Sequence, residues 1–363
     1  MKLARLGRMR NADALLGAPD DPEEATLTTG KTRFSALVGS LALLGTACGR
    51  EELPQNTLDP QGPVARKLDD LVDPVFVIAG VIFVLVNVLV LVAVIKFRRR
   101  SEDDSPKQVH GNSKLELGWT IAPAVILGVI GIGTLGVIFD INERPAAAES
   151  LQVTVVGHQW WWEFDYPDHG ITTANELHIP VGTKVDLALE SVDVIHSFWP
   201  PKLAGKLDVI PGRTNRMVVE AEKPGTYFGQ CAEFCGLSHA NMYLRVIAHA
   251  PADFEKWVAA NTEAPTEASS LRGDAAGGAA LFRSKGCSGC HTVEGYSAGT
   301  LGPNLTHLQQ RSVFAGAMFD LDDRNLRKWL RDPPAEKPGS LMPNLDLTED
   351  EITKLIAYLD TLQ

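Results

Sequence analysis

Cysteine is scarce in this chain of 363 residues: there are five, an odd number. A disulfide framework would use an even set, and it would not explain the spacing seen here. The five fall into a lone Cys48, a C-x-x-x-C pair at Cys231 and Cys235, and a C-x-x-C-H at Cys287, Cys290 and His291. Three separate chemistries are implied. Positive charge is also in deficit. With 34 Lys and Arg against 45 Asp and Glu the net charge is −11, which argues against nucleic acid as a partner. There is no internal repeat, and no long helical run interrupts the stretch from Leu151 to Val246.

What is present begins with a polar leader of mixed charge over residues 1–33, longer than a signal n-region needs. Phe34 to Ala47 is apolar and small, preceded by Lys31 and Arg33 and ending at Gly45-Thr46-Ala47-Cys48. A short apolar stretch with small residues before a break fits an export signal and not a spanning helix. Residues 1–47 are therefore expected as a cleaved lipoprotein-type signal peptide, with Cys48 carrying lipid and 48–73 an external segment. The Leu usual three places before such a cysteine is absent, Leu44 standing one place too early, so an ordinary cleaved signal or an uncleaved anchor is the rival.

Two long apolar runs follow, 74–97 and 118–139, each suited to a hydrocarbon core about 30 Å thick. Asn87 is the only polar interruption in the first, and the second carries glycines and Pro123, which lipid-embedded helices tolerate. The loop 98–117 and its flanks hold Lys96, Arg98, Arg99, Arg100, Lys107 and Lys114, whereas Asp140, Glu143 and Glu149 follow the second run with only Arg144. The positive-inside rule puts that loop in the cytoplasm and both chain ends outside. A buried soluble hairpin is the bland alternative.

From 140 to 260 the texture is β-rich, with LQVTVVGHQWWWEF and TKVDLALESV broken by Gly and Pro turns. A small antiparallel β-sandwich or barrel is the natural expectation. APADFEKWVAAN reads as a short amphipathic helix with Asp253 near its start. Residues 261–272 read as a Thr/Ser/Glu/Pro-rich linker, and 273–363 as a helical module. In that module Thr348-x-x-Glu351 is a capping box, and Ile352, Leu355, Ile356, Leu359 and Leu362 line one helical face.

The segment from Cys231 to Met242 places two thiols, an imidazole (His239) and a thioether in one loop. Soft sulfur ligands with imidazole favour copper over harder metals. His196, in DVIHSFWPP, is the candidate to close the far side. Two thiolates can bridge two coppers with one imidazole on each, which keeps the geometry similar in both redox states. A plain Cys231–Cys235 disulfide is the structural alternative.

Here the chain resembles subunit II of cytochrome c oxidase. The motifs are LELGWTIAPA, GHQWWWEF, SVDVIHSFWPPKLAGKLDVIPGRTN and GQCAEFCGLSHANMYLRV, within residues 65–260. The resemblance implies a two-helix transmembrane hairpin followed by a cupredoxin-like β-barrel. It implies the dinuclear centre CuA on His196, Cys231, Glu233 (through its carbonyl), Cys235, His239 and Met242. It further implies a magnesium ion at the subunit I interface with help from the Glu233 side chain, and electron entry at Trp160, the first of three consecutive tryptophans. Glu116, before the second run, matches a glutamate at the mouth of a proton path, and Asp193 is placed to orient a subunit contact. Outside the motif, Met242 would read as core, Glu233 and Glu116 as solvated acids, and the tryptophans as packing anchors.

Cys287-Ser-Gly-Cys290-His291 is a c-type haem attachment motif, with both thiols adding to haem vinyls and His291 ligating iron. The order of helix, motif, Gly302-Pro303-Asn304-Leu305, Met-Pro loop and final helix resembles an all-α class I cytochrome c domain. Pro303 matches the residue whose carbonyl takes the proximal imidazole N–H, and Phe282 and Tyr358 are expected to meet where first and last helices cross. The sixth ligand is a Met or a His, with Met342, Met318 and His307 as candidates and Met342 at the family position.

Together these imply a membrane multidomain chain, the electron-entry subunit of a caa3-type haem–copper oxidase in a bacterial plasma membrane. Both cofactor domains would stand on the outer face. Electrons would pass from cytochrome c, or a cytochrome bc-type complex, through the chain's haem and copper to subunit I, with subunit III and the bilayer as further partners. The two apolar runs hold no histidine cluster, so oxygen reduction would lie in subunit I. Rival readings are the copper subunit of a nitric-oxide-reducing relative, a quinol-oxidase-type subunit lacking copper ligands, and a copper-binding assembly lipoprotein.

Overall fold

The computed structural model describes residues 53–99, 101 and 108–363. The expected signal peptide and Cys48, with Arg100 and Lys107 of the basic loop, lie outside the described residues. Helix α1 spans Pro63–Lys96 and α2 spans Ser113–Ile141. Both are long and apolar enough to cross a membrane, with side chains exposed almost throughout. Within the apolar runs two polar side chains are satisfied within the helix, as hydrocarbon requires: Asn87 Nδ2 donates to Phe83 O at 2.8 Å and Thr134 Oγ1 to Ile130 O at 2.9 Å. Asn112 caps α2 by accepting from the N–H groups of Lys114 and Leu115.

Helix α1 begins at Pro63, well before the apolar run at Pro74. Hydropathy misses these first turns because they are amphipathic and lie against the β domain instead of lipid. Ala65 is buried, its N–H donates to Leu203 O at 3.2 Å, and Arg66 pairs with Glu222. A Cβ on Gly62, the residue before the helix, would collide with Glu220 O.

The β domain is a sandwich of two five-stranded sheets. Its strands are β1 (Ser150–His158), β2 (Trp161–Tyr166), β3 (Ile171–Ala174), β4 (Glu176–Pro180), β5 (Lys184–Ser191), β6 (His196–Trp199), β7 (Leu207–Val209), β8 (Asn215–Val219), β9 (Gly225–Cys231) and β10 (Tyr243–His249). One sheet runs β3-β2-β1-β5-β8 and the other β4-β10-β9-β6-β7. The sheets are mixed, not antiparallel as expected: β1 pairs with β5, and β10 with β4, in parallel. Inward–outward alternation in a strand specifies its buried face but not its neighbour's direction, so the sequence pattern could not reveal this. Trp162, Phe164, Tyr166, Leu177, Phe198 and Leu244 fill the space between the sheets. Helix α3 (Pro251–Thr262) closes one side, stacking Trp257 on His178 with ring centroids 4.4 Å apart.

Past a short 3-10 turn at Ala268–Ser270 comes a helical domain built from α4 (Gly273–Ser284), α5 (Asp323–Arg331), α6 (Pro333–Glu336) and α7 (Glu349–Leu359), with two short hairpins. Helices α4 and α7 cross at Gly278, where a Cβ would strike Lys354 O. Phe282 and Tyr358 meet edge to face there, centroids 5.4 Å apart. The Thr348/Glu351 capping box forms, and Ile352, Leu355, Ile356, Leu359 and Leu362 are all buried.

Candidate metal centre and haem site

The end of β9 delivers Cys231, and β6 beside it delivers His196. The loop to β10 then supplies the other donors. Cys231 Sγ and Cys235 Sγ are 3.8 Å apart, far beyond the roughly 2.05 Å of a disulfide. Cys231 Sγ lies 3.9 Å from His196 Nδ1 and 3.2 Å from Glu233 O. Cys235 Sγ lies 3.6 Å from His239 Nδ1 and 3.8 Å from Met242 Sδ. Metal–sulfur bonds of about 2.3 Å and metal–imidazole bonds of about 2.0 Å separate two ligands of one tetrahedral ion by roughly 3.5–3.8 Å. Most of these separations are therefore those of ligand pairs. The donors of His196, Cys231 and Cys235 all lie within 4.8 Å of one another, and His239 stands outside that trio.

Burial and charge suit a cation. Cys231, Cys235, His196 and Met242 are buried, while the Glu233 side chain is exposed and only its carbonyl turns inward. Hydrogen bonding between the two sulfurs draws the Cys231 pKa down to about 3, against its burial. That same bond holds Cys235 far above the ordinary thiol range. The two sulfurs thus share one proton between them, in the place a soft cation would occupy.

His196 is oriented from behind. Its Nε2 lies 2.8 Å from Asp193 Oδ1, which leaves Nδ1 for the sulfur side. Asp193 also accepts from Gln159 N (2.6 Å) and Val194 N (2.6 Å). Burial pushes the Asp193 carboxyl up, but the bonds from His196, Val194 and Gln159 outweigh it and hold the pKa below the usual value. Burial likewise opposes a charged His196, and its bonds to Asp193 and Cys231 more than compensate. Asp193, expected at a subunit contact, here holds the His196 imidazole, and the D-x-x-H spacing is the sequence signal for that pair. Gly157 makes room for that ring, since a Cβ would lie 2.8 Å from His196 Cδ2. Trp160 is buried beside the loop, and its Nε1 donates to Cys235 O at 3.0 Å. Glu116 is remote from this centre. It lies exposed in the first turn of α2, where its carboxylate accepts from Asn112 N at 3.3 Å.

In the helical domain a 3-10 turn carries Cys287 and Cys290, both free, with His291 next. His291 Nδ1 donates to Pro303 O at 2.9 Å, leaving Nε2 with its lone pair as a ligand. Burial lowers the His291 pKa, against that bond, and keeps the ring neutral. Met342 packs on the domain core, and its Sδ accepts from Trp329 Nε1 at 3.2 Å. His307 is turned away, its Nδ1 bonded to Gln363 O at 2.6 Å, and Met318 lies in the turn of the hairpin joining Val313–Phe314 to Phe319–Asp320. Two thiols and a free imidazole nitrogen on one turn fit a covalently held haem.

Comparison with known proteins agrees along the chain. Residues 53–137 match the transmembrane domain of cytochrome c oxidase subunit II, 169–249 its periplasmic domain, and 275–363 cytochrome c. Cytochrome c oxidase subunit 2 of Alkalihalophilus pseudofirmus is 38% identical over 333 residues, covering 89% of this chain and 95% of the relative. That of Bacillus subtilis is 33% identical over 353 residues, covering 91% and 98%. A solved structure, the periplasmic domain of subunit II of cytochrome oxidase of Bradyrhizobium japonicum, is 31% identical, covers 32% of this chain and 95% of that one, and has a TM-score of 0.31. These matches imply copper in the β domain, haem c in the helical domain and an oxidase subunit I as partner. The chain belongs to the cytochrome c oxidase subunit 2 family, in a form that carries a C-terminal cytochrome c domain.

Proposed function

We propose that this chain is the electron-entry subunit of a caa3-type oxidase. It takes electrons from cytochrome c, or from a cytochrome bc-type complex, and delivers them to subunit I, where oxygen is reduced to water and protons are pumped. Copper and haem supply one-electron chemistry; the chain holds them, orients their ligands and keeps water away. His196, Cys231, Glu233 O, Cys235, His239 and Met242 hold a copper pair, and the one observation that carries this is the donor arrangement. A single ion needs all its donors within a few ångströms, yet His239 falls outside the tight trio while lying 3.6 Å from Cys235 Sγ. Cys231 and Cys235 would serve both ions of such a pair, with His196 on one side and His239 on the other. Cys287 and Cys290 would hold the haem covalently, with His291 and Met342 supplying its iron ligands.

Trp160 is the group through which electrons enter the copper centre, its indole N–H donating to the carbonyl of Cys235, a copper ligand. The exposed Glu233 carboxylate is free to help a magnesium ion at the subunit I interface, and Glu116 marks the mouth of a proton path. The basic loop orients the hairpin so that both cofactor domains lie outside the cell, with subunit III and the bilayer completing the surroundings. Metal and haem analysis of the purified complex tests the reading. Two coppers in this subunit sharing one unpaired electron, with one covalent haem, are expected. A single copper, or a Cys231–Cys235 disulfide in the matured protein, would overturn it.

A further inference from the structure

The contact between the copper and haem domains is polar and buried. At one end Arg311 Nε donates to Thr173 Oγ1 at 3.1 Å, and Ser312 N donates to the buried Glu176 at 2.9 Å. At the other end, beside the copper loop, Lys337 is 4% exposed. Its Nζ donates to Trp160 O at 2.6 Å and to Ala315 O at 2.7 Å. Ser238 Oγ donates to Pro338 O at 2.5 Å. Gly339 follows, with φ at 83°, and a Cβ there would lie 2.6 Å from Trp160 Cη2. The glycine backbone thus rests on the indole edge, and Trp160 is only 8% exposed.

We propose that Lys337 is a positioning residue for interdomain electron transfer: it seats the Lys337–Gly339 turn on Trp160, making this contact the junction between haem and copper and closing Trp160 to outside donors. The inference rests on the functional reading above. A buried lysine is a costly choice for a turn, and burial draws its pKa down to about 7. Charged or neutral, however, Nζ has an N–H for each of the two carbonyls, which would otherwise be left unmet in the interface.

The route is short. From Met342 the backbone leads directly to Gly339, then one van der Waals contact reaches the indole, and one hydrogen bond reaches the Cys235 carbonyl. One electron passes: haem iron goes from ferrous to ferric, the copper pair is reduced by one, and no proton is required. An outside donor protein reaches Trp160 only by unseating the turn, so it delivers to the haem instead.

The test uses the purified oxidase complex with Lys337→Met, which fills the volume without donors, and Lys337→Arg. Hydroxyl-radical footprinting reads the exposure of Trp160 independently of turnover, and flash reduction of the haem reads the rate to copper. In Lys337→Met a several-fold stronger footprint and at least a tenfold slower transfer are expected, with both cofactor spectra unchanged and partial rescue by Lys337→Arg. Wild-type footprint and rate in Lys337→Met would overturn the proposal. Should that variant not assemble, Lys337→Ala reads the same two quantities with the same expectations. Absence of the copper pair or haem from the unmutated complex would instead defeat the functional reading, while the footprint would still report on the docked turn.

Discussion

Replacing Asp193 by alanine should loosen copper without touching a ligand. Asp193 holds His196 Nε2 at 2.8 Å and accepts the N–H groups of Gln159 and Val194. The substitution frees the ring to turn and leaves two backbone donors without an acceptor. Bonds to a charged acceptor are worth about 1.5–3 kcal/mol each, but the Asp193 side chain is 26% exposed, so water replaces much of the backbone part. The loss at the imidazole is less easily replaced, because that ring is fully buried. Outer partners of metal-bound histidines are worth about 10–100-fold in affinity, or roughly 1.4–2.8 kcal/mol. Copper should therefore leave Asp193→Ala at 10–100-fold lower chelator concentration, followed by the copper absorption of the purified complex. Asp193→Asn should lie between, since it keeps an acceptor oxygen. Copper retention equal to the unmutated protein in Asp193→Ala would refute the assignment of His196 as a ligand held through Asp193.

The remaining expectations concern the haem domain and its docking. Gly302→Ala should weaken the low-spin haem spectrum while covalent attachment persists, because a Cβ there would lie 2.6 Å from His291 Cε1 and push the ring off the Pro303 carbonyl; an unchanged spectrum would count against that bond. Gly278→Ala should cost about 1–3 kcal/mol by overpacking the α4–α7 crossing against Lys354 O, lowering the melting temperature of the haem domain by several degrees in calorimetry. Acid should undock the domains. Burial raises the Glu176 carboxyl, but the close approach of His178 Nε2 at 3.5 Å and the bonds from Ser312 outweigh it and leave the folded pKa below 4.5. Its stabilising share is thus complete above pH 4.5 and lost as pH falls through the lower folded value. His178 is lowered by burial from 6.5, so it too favours the folded form less as pH drops below 6.5. A footprint of the Glu176–Ser312 contact that stays the same as pH falls from neutral through the folded values of both groups would contradict this linkage.

The candidate metal loop was legible because five of its six proposed donors come from one short segment, Cys231 to Met242, whose residue types admit few other uses. The haem motif was legible for the same reason. The helical register from Ile352 to Leu362 followed from periodicity, since one face must be buried. Strand direction was not legible: β1 and β5 would show the same alternation in either sense. Nor were the first turns of α1, which a hydropathy window reads as a polar flank. Lys337 was the least accessible of all. In PAEKPGS a lysine reads as a solvated loop residue, and only the approach of a distant carbonyl, Trp160 O, gives it a buried role.

Helix α1 has one further consequence. It runs unbroken from Lys96 to Pro63, and its outer turns are fastened to the β domain by Ala65, Arg66 and the close approach at Gly62. No slack segment separates the lipid-facing part from the copper-bearing part. Spanning helices respond to a thinner or thicker bilayer by tilting. Here such a tilt would be handed on as a rotation of the β sandwich, so a change in bilayer thickness would alter how the candidate metal loop is presented.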